Sequence, residues 1–490
     1  MTNLRDALVG YADWLHYGHG ERAHAWLDRL DVNTPELDAL RAARTPVAQP
    51  YVPMATKVAS PAQGSRRSPA MRADAVDALA RARRAEDLHA FTWLADDVSR
   101  HAQGFLAGVP IAVKDLMRVA GAPLTGGSRA LDGDVARDDA EVVARLRRVG
   151  AVVVGLTNLH ELAYGITSDN PRFGRVVNPA ARDRIPGGSS GGSAAVVAAG
   201  VVAAALGTDT AGSIRIPAAC CGIVGFKPSY DALPRDGVLD LAPSLDHVGP
   251  MTRDVEGAAT VFAAMHGDAD VPAWMRDDLA GVTIARLRGF FDEPLDRDVR
   301  AATDDAVVAL ARDGARFVDR EIAGVELAPA IQFSTIAPEA TASDYEHLVA
   351  RGDRLGDDVR VRLEIGMFLP AAWYVKAQRL RSVFVRALEA TFEEADLLLC
   401  PTLRIPAPRV GEGRVDIDGR AYPLHTAITQ LTMPFNLSGL PAISLPWSRS
   451  RDGVPISLQL VAPRGFDWRV LAAAQRLQAL APWRTDAANA

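Results

Sequence analysis

Residues 186–215 read PGGSSGGSAAVVAAGVVAAALGTDTAGSIR, which places three serines in a glycine-rich segment, follows them with an uncharged run of small residues, and ends with a further serine after Ala-Gly. Glycine loses more conformational freedom on folding than other residues, so a glycine cluster indicates a backbone that approaches another group closely or takes an unusual conformation. Within the segment, GSAAVVAAG predicts a helix and VVAAALGTD predicts a buried strand. The segment therefore predicts one helix–strand unit with serines before and after it.

Helical and strand-length patterns alternate along the rest of the chain. DDAEVVARLRRVGA (138–151) predicts a helix that leads into the buried strand VVVG (152–155). TIARL, DLLLCP, PAISLP and PISLQLVA are further apolar runs of strand length, separated by helical patterns such as DVRAATDDAVVALARDG. This alternation predicts an α/β architecture whose helices cover a mostly buried sheet. A long helical stretch from about Val325 to Leu380 predicts an insertion over one edge of the core.

The composition is that of a globular chain, since 48% of the 490 residues are apolar and the formal net charge is −6. No basic excess indicates contact with nucleic acid or with an acidic membrane surface. The N-terminus lacks a basic start followed by an apolar core, so we expect no secretory signal, and the alanine-rich run 194–206 is too short to span a membrane. Three cysteines without metal-ligand spacing, Cys220, Cys221 and Cys400, indicate reduced thiols in a cytoplasmic protein.

Lysine is rare in this chain, with four lysines among 54 basic residues, and one of them, Lys114, follows the apolar run GVPIAV. Burial disfavours the ammonium ion and lowers the pKa of a lysine, so a buried Lys114 can act as a general base near neutral pH, whereas arginine does not deprotonate. Alternatively, Lys114 extends its amine towards solvent or pairs with the adjacent Asp115. Both interpretations remain open at this point.

The serines of the quoted segment allow three interpretations. Small residues before Ser213 favour a loop whose backbone N–H groups converge on one point, as an oxyanion requires, although a helix N-cap is an alternative. The glycines around Ser189 and Ser190 allow strained conformations or form a simple turn. Residues 188–192 also fit the G-x-S-x-G nucleophile elbow, but the preceding NPAARDRIPGG contains two prolines and three charges where an elbow needs a strand.

Taken together, these segments resemble a known family. Residues 186–228 resemble the signature of the amidase signature family of serine hydrolases, and GVPIAVKD (108–115) is similar to the lysine motif of that family. Residues 158–165, 244–255 and 435–446 are also similar to family segments, so the resemblance covers roughly residues 69–480. It implies a large mixed twisted β-sheet covered on both faces by helices. We therefore expect an amidase signature catalytic domain at 69–490, preceded at 1–68 by a helical extension and linker.

The resemblance also implies a catalytic set of Lys114, Ser189 and Ser213. In this scheme Ser213 attacks the carbonyl carbon of an amide or ester, and Ser189, held in a cis-like backbone geometry, passes the nucleophile's proton to neutral Lys114. An acyl-enzyme on Ser213 is then hydrolysed by water. We expect neither a cofactor nor a metal ion. Further residues implied to bind the oxyanion or the substrate are Thr210, Ala211, Gly212, Ser190, Gly165, Ile166 and Thr167.

Two departures from the family pattern bear on specificity. Ala211 stands where the family usually has glycine, and its methyl group either narrows the acyl pocket or requires a negative φ at this residue. Arg172 and Arg175 lie in a region that often lines the substrate pocket, where either arginine pairs with a substrate carboxylate or remains a surface charge.

The expected function is hydrolysis of a small amide, anilide or carbamate to an acid and an amine or ammonia, with esterase activity as a side reaction. On this hypothesis the partners are a small-molecule substrate and at most a second copy of the chain (a homodimer or a monomer), with no nucleic acid and no membrane. The alternative is the glutaminase A-type subunit of a tRNA-dependent amidotransferase. Thr429, eight residues before Leu437, speaks against it, because we expect an acidic residue there to bind the glutamine amine. A non-catalytic scaffold is a third hypothesis, disfavoured by the intact catalytic set.

Overall fold

An eleven-stranded mixed sheet forms the centre of the computed structural model, which describes residues 71, 73–98, 103–268 and 279–483. The predicted extension and linker at 1–68 lie outside the described residues. The strand order across the sheet is β1-β3-β2-β4-β6-β5-β12-β13-β9-β7-β8, and β10 and β11 form a separate hairpin. The strands are β1 (Phe91–Leu94), β2 (Pro110–Lys114), β3 (Val152–Thr157), β4 (Ala204–Asp209), β5 (Val224–Lys227), β6 (His247–Thr252), β7 (Thr283–Leu287), β8 (Arg316–Arg320), β9 (Leu397–Pro401), β10 (Arg414–Ile417), β11 (Arg420–Pro423), β12 (Ala442–Arg449) and β13 (Pro455–Val461).

Thirteen α-helices accompany these strands in the described part of the chain. The helices are α1 (Ala75–Arg84), α2 (Glu141–Arg148), α3 (Gly191–Ala198), α4 (Arg215–Cys221), α5 (Val255–His266), α6 (Arg297–Arg312), α7 (Ala328–Ser343), α8 (Tyr345–Arg351), α9 (Asp357–Phe368), α10 (Ala371–Ala390), α11 (Leu424–Thr429), α12 (Pro434–Leu437) and α13 (Asp467–Leu480). The predicted α/β class is confirmed, and so are the strands predicted from the apolar runs.

Apolar side chains on both faces of the sheet explain why helices cover both faces. Successive residues of β2 alternate between two hydrophobic clusters, with Ile111 and Val113 in one and Ala112 in the other. Helices α2 and α5 contribute to the first cluster, while α1 and α3 contribute to the second. The predicted two-sided covering is therefore confirmed.

The order of the central strands brings distant parts of the chain together. Strand β2 pairs in parallel with β3 on one side and with β4 on the other. Parallel neighbours end at the same edge of a sheet, so Lys114 at the end of β2 lies beside the end of β4. Helix α3 begins at this edge, and the loop between β4 and α4 lies there as well. The serines of residues 186–215 are therefore placed at this edge.

The helices α7 to α10 form a group of their own, as the helical pattern between Val325 and Leu380 predicts. Helix α7 contacts both α9 and α10. In the described residues, no helix is both long enough and apolar enough to cross a bilayer.

A close approach of the backbone fixes the start of α3. A Cβ atom at Gly192 would lie 2.2 Å from the carbonyl oxygen of Asn158 and 2.7 Å from that of Ala90. Both neighbours are backbone atoms of a strand end and a strand start, so they cannot move aside as a side chain would. Glycine is therefore required at this position for the helix to sit against the sheet.

We predict that Gly192→Ala lowers the free energy of unfolding by about 1–3 kcal/mol, because the cost of overpacking exceeds the gain of about 1 kcal/mol in helix propensity. Urea denaturation followed by circular dichroism measures the change. Gly413→Ala is the matched control, since a Cβ atom there meets nothing within 4 Å. Equal midpoints for the two variants would contradict the prediction.

Candidate active site

Lys114 ends β2 and is completely buried. Because burial disfavours an ammonium ion, it lowers the pKa of Lys114 from 10.5 to about 7, against the opposing charges of Asp209 and Asp246. A lysine with this pKa is in substantial part a free amine near neutral pH, which is the form that accepts a proton.

The Lys114 amine contacts three hydroxyl groups. Its Nζ donates to Ser189 Oγ at 2.7 Å, to Ser190 Oγ at 2.9 Å and to Thr208 Oγ1 at 2.8 Å. These bonds use all three protons of the ammonium form, so in the free amine one hydroxyl donates to the nitrogen instead. A proton can thus pass between the amine and a serine along an existing hydrogen bond.

Asp115 does not pair with its neighbour. Its carboxylate accepts hydrogen bonds from Thr125 N at 2.9 Å and from Thr125 Oγ1 at 2.5 Å. Burial raises the pKa of Asp115 to about 6, although the bonds from Thr125 oppose the shift. The structure therefore selects the buried Lys114, held by hydroxyl groups, over a lysine that reaches solvent or pairs with Asp115.

The backbone at Ser189 is anchored from one side by Ser168. The peptide bond between Gly188 and Ser189 is cis, the backbone geometry that the family resemblance implies there. Ser168 Oγ donates to Gly187 O at 2.9 Å and accepts from Gly191 N at 3.1 Å. These bonds hold the segment on both sides of Ser189 in place.

The loop that carries Ser213 is braced by a buried ion pair. Arg215 Nη2 lies 3.0 Å from Asp209 Oδ1, and Arg215 Nε lies 3.0 Å from Asp209 Oδ2. Neither side chain is exposed. Burial alone would raise the pKa of Asp209, but the charge of Arg215 and its hydrogen bonds hold that pKa well below its ordinary value. The pair closes the loop between β4 and α4 and braces it.

Side chains outside the loop fix two of its carbonyl groups. Gln332 Nε2 donates to Thr210 O at 3.1 Å, and Thr432 Oγ1 donates to Ala211 O at 2.6 Å. The C=O and N–H of a trans peptide unit point in opposite directions. The N–H groups of Ala211 and Gly212 therefore point away from these two anchoring side chains.

Alanine fits at position 211 because the left-handed conformation falls on the next residue. Gly212 has a φ of 135°, and a Cβ atom there would lie 2.3 Å from Thr432 Oγ1. Ala211 is not among the described non-glycine residues with a positive φ. Alanine at position 211 is thus accommodated without a positive φ.

A cavity opens beside Ser213. Ser213 is 7% exposed, and its carbonyl oxygen accepts from Ser190 N at 3.3 Å, so the two serine segments are adjacent. Four of the residues implied to bind substrate or oxyanion also line this cavity, namely Gly165, Ile166, Thr210 and Ala211. The structure thus brings the nucleophile candidate and much of the predicted pocket together.

Three of the residues implied by the resemblance are not among those that line the cavity. Ser190 is fully buried and contacts the amine of Lys114. Thr167 Oγ1 lies 3.3 Å from His160 Nδ1 and is not among the residues that line the cavity. Gly212 lies within the loop between Ala211 and Ser213.

Arg362 of α9 lines the cavity and was missed by the sequence analysis. Its Nη1 donates to Tyr164 O and its Nη2 lies 2.7 Å from Asp358 Oδ1. Its Nε is buried and has no hydrogen-bond partner among the described residues. In the sequence, an aspartate four residues before an arginine is typical of an exposed helix pair, so nothing there indicated a cavity residue.

Gln332 of α7 is a second polar lining residue that the sequence did not single out. Its Nε2 is occupied by Thr210, while its Oε1 is buried and has no partner in the described part of the chain. An unpaired buried acceptor is costly, so a donor that reaches Gln332 Oε1 would relieve that cost.

The arginines proposed from the sequence lie elsewhere. Arg172 Nη1 donates to Ser128 O, and its guanidinium lies 5.0 Å from the ring centre of Phe173. Neither Arg172 nor Arg175 is among the lining residues of the cavity. The described residues also contain no group of three or more His, Cys, Asp or Glu side chains placed to hold a metal ion.

A family model described as Amidase matches residues 70–471. The chain belongs to the amidase signature family. The A-type subunit of the glutamyl-tRNA(Gln) amidotransferase of Trichlorobacter lovleyi is 36% identical over 420 residues, which cover 78% of this chain and 85% of that protein. AtzE, which is a subunit of the 1-carboxybiuret hydrolase of Pseudomonas sp. strain ADP, is 37% identical over 375 residues, covering 73% and 80%. A crystal structure of an amidase is 33% identical, covers 84% of this chain and 97% of its own, and gives a TM-score of 0.79.

These relatives identify the chain as an amide-hydrolysing enzyme and correct one expectation. The partners expected from the sequence, a small-molecule substrate alone with no nucleic acid, are wrong, because several of the similar proteins are subunits named for an amidotransferase of glutamyl-tRNA(Gln). The physical reason is that net charge reports only whether a chain neutralises phosphates itself. It carries no information about what the other subunits of an assembly contact.

We predict that Arg215→Met destabilises the protein by about 3–5 kcal/mol, because it leaves the Asp209 carboxylate buried without its partner. Asp209→Asn should cost a similar amount for the converse reason. The double variant should lose less than the sum of the two, by more than about 1 kcal/mol. Urea denaturation of all four proteins measures the cycle, and strict additivity would show that the two groups do not act as a pair.

Proposed function

We propose that this enzyme is the glutamine-hydrolysing A-type subunit of a tRNA-dependent amidotransferase, and that Lys114, Ser189 and Ser213 carry out its chemistry. One observation carries the proposal: Ser213 and Arg362 line the same cavity. Such a cavity suits an amide that also has a carboxylate, as L-glutamine does. The similarity to the A-type subunit of glutamyl-tRNA(Gln) amidotransferase supports glutamine in particular.

The hydrogen bond between Lys114 and Ser189 supports the proton route. Ser213 Oγ forms a bond to the amide carbon as its proton passes to Ser189 Oγ, whose own proton passes to the free amine of Lys114. When the C–N bond breaks, the proton returns from Lys114 through Ser189 to the leaving nitrogen, which departs as ammonia. Water then hydrolyses the acyl-enzyme on Ser213 by the same route and releases the acid.

The loop before Ser213 would stabilise the oxyanion of the tetrahedral intermediate. The N–H groups of Ala211 and Gly212 point away from the side chains that hold the loop, which makes them donors for a substrate oxygen. Such preorganised donors contribute about 3 kcal/mol each to lowering the barrier. The Asp209–Arg215 pair holds them in place before substrate arrives, so no reorganisation is needed during the reaction.

The α-amino group of glutamine requires an acceptor, and Gln332 Oε1 can serve. The sequence argument against glutamine rested on Thr429, which is neutral where an acidic residue was expected. Thr429 does line the cavity, but its hydroxyl donates to His425 O at 2.7 Å. Gln332 lines the same cavity, and its Oε1 is buried without a partner among the described residues, so another element carries an acceptor for an ammonium group.

We expect kcat/KM to rise about tenfold per pH unit below pH 7 and to level off above it. Lys114 must be a free amine to accept the proton, and its pKa of about 7 means that acidification converts it to the inert ammonium form. Initial rates between pH 5 and pH 9 measure the profile, with near-UV circular dichroism at each pH to show that the fold persists. A rate independent of pH across this range would exclude Lys114 as the base.

The purified full chain should release ammonia from L-glutamine, and Ser213→Ala should abolish this release.

Arg362→Met should raise the KM for L-glutamine roughly tenfold or more, because a charged hydrogen bond contributes about 1.5–3 kcal/mol. Hydrolysis of butyramide, which has the same amide but no carboxylate, should stay unchanged. Measured ammonia release gives both constants for both substrates.

The role within a larger assembly needs a separate measurement. Purified from its own cells, the chain should co-elute with further subunits, and the assembly should transfer the amide of glutamine to glutamyl-tRNA(Gln). Hydrolysis of simple aryl amides without any activity on glutamine would instead favour a stand-alone hydrolase and overturn this proposal.

A further inference from the structure

Helix α9 is joined to the segment 158–167 by three separate contacts. Gly356 N, just before the helix, donates to Glu161 Oε2 at 2.9 Å, and Arg362 Nη1 donates to Tyr164 O. Between them, Asp358 Oδ2 lies 3.0 Å from His160 Nε2. The segment that α9 contacts continues directly into Gly165 and Ile166 in the cavity wall.

The Arg362 guanidinium is held at two of its three nitrogens. The backbone of Tyr164 takes Nη1 and the carboxylate of Asp358 takes Nη2, while Nε alone has no partner among the described residues. Because the guanidinium is planar, fixing both Nη atoms also fixes the direction in which the Nε–H bond points. The carboxylate of Asp358 thereby decides where the free N–H of Arg362 points.

Asp358 is itself held by a residue from outside its helix. Its Oδ1 contacts Arg362 and its Oδ2 contacts His160, so both oxygens are engaged although the side chain is 44% exposed. The imidazole of His160 is fixed in turn, because its Nδ1 lies 3.3 Å from Thr167 Oγ1. A Cβ atom at Gly165 would lie 2.1 Å from His160 Nε2, so the ring packs directly against the backbone of the cavity wall.

We propose that Asp358, held by His160, is a positioning residue that orients Arg362 towards the carboxylate of the substrate and so sets the preference for carboxylate-bearing amides. The inference rests on the proposed function, since it assigns Asp358 a role in the same cavity. Asp358 touches neither the reacting atoms nor the substrate, and acts only through Arg362.

Asp358 affects the strength of substrate binding in two ways, which act in opposite directions. Its negative charge lies near the carboxylate that Arg362 would bind, so by charge alone its removal should strengthen substrate binding. Its hydrogen bond orients the guanidinium, so by geometry its removal should weaken binding. The proposal requires the orienting effect to be larger than the effect of charge. The KM of a variant that lacks Asp358 distinguishes them, because KM rises if orientation dominates and falls if charge dominates.

The experiment compares Asp358→Ala with the wild-type full chain on two substrates that share one amide. Glutaramate (the monoamide of glutaric acid) carries a carboxylate, and butyramide is its neutral counterpart. Asp358→Ala should raise the KM for glutaramate about tenfold, the loss of one oriented charged hydrogen bond, with kcat within twofold. Both constants for butyramide should stay within twofold of the wild type.

Two further variants separate positioning from a general effect on the helix. Asp357→Ala removes the neighbouring carboxylate, which is 92% exposed and pairs with Arg360, and it should leave all constants unchanged. Asp358→Glu keeps the charge and should restore at least part of the affinity for glutaramate. Thermal melting of each variant shows whether the fold is intact.

An unchanged or lowered KM for glutaramate in Asp358→Ala would overturn the inference, as would an equal loss for butyramide. A wild-type enzyme that prefers butyramide to glutaramate would overturn it as well. The proposed function fails in a different way, by wild-type hydrolysis of glutaramate without any hydrolysis of L-glutamine. In that case the role of Asp358 is still tested by comparing the KM values of Asp358→Ala for glutaramate and for butyramide.

Discussion

The contact on which the rest of the site depends is the triple hydrogen bond between the buried amine of Lys114 and the hydroxyls of Ser189, Ser190 and Thr208. A lysine excluded from water is unfavourable as a cation, and three hydroxyl groups are neutral partners that can either accept from the amine or donate to it. The surroundings therefore accommodate both protonation states of one group. Few other arrangements of side chains allow a buried amine to change its charge without leaving a polar atom unpaired.

That contact constrains the fold around it. The three hydroxyls come from two segments that lie at least 75 residues from Lys114 along the chain, so β2, β4 and the start of α3 must meet at one sheet edge. The small residues of α3 and the absence of a side chain at Gly192 allow this meeting, because a Cβ atom there would overlap the Asn158 carbonyl. Close packing of small residues thus serves the geometry of a polar site.

The second constraint is the rigidity of the loop before Ser213. A buried Asp209–Arg215 ion pair contributes little net stability compared with an apolar pair of the same size. It does hold a short loop in one conformation, since the guanidinium also contacts Asn436 Oδ1 at 2.6 Å and Thr432 O at 3.0 Å. These contacts connect the loop before Ser213 to α12 and to the chain just before it, where Met433 lines the cavity.

The sequence by itself determined the α/β class and the strands with their helices, and it singled out Lys114, Ser189 and Ser213 as candidates, because apolar periodicity and short glycine- and serine-rich segments are local signals. It did not determine that Lys114 avoids Asp115, that Arg362 rather than Arg172 lines the cavity, or that Gln332 lines it too, with an Oε1 that has no partner among the described residues. It also misjudged the partners, because surface charge was read as if the chain acted alone. These outcomes were decided by tertiary structure, since an arginine on a helix has the same local pattern whether its face meets water or a cavity, and only packing between distant elements distinguishes the two.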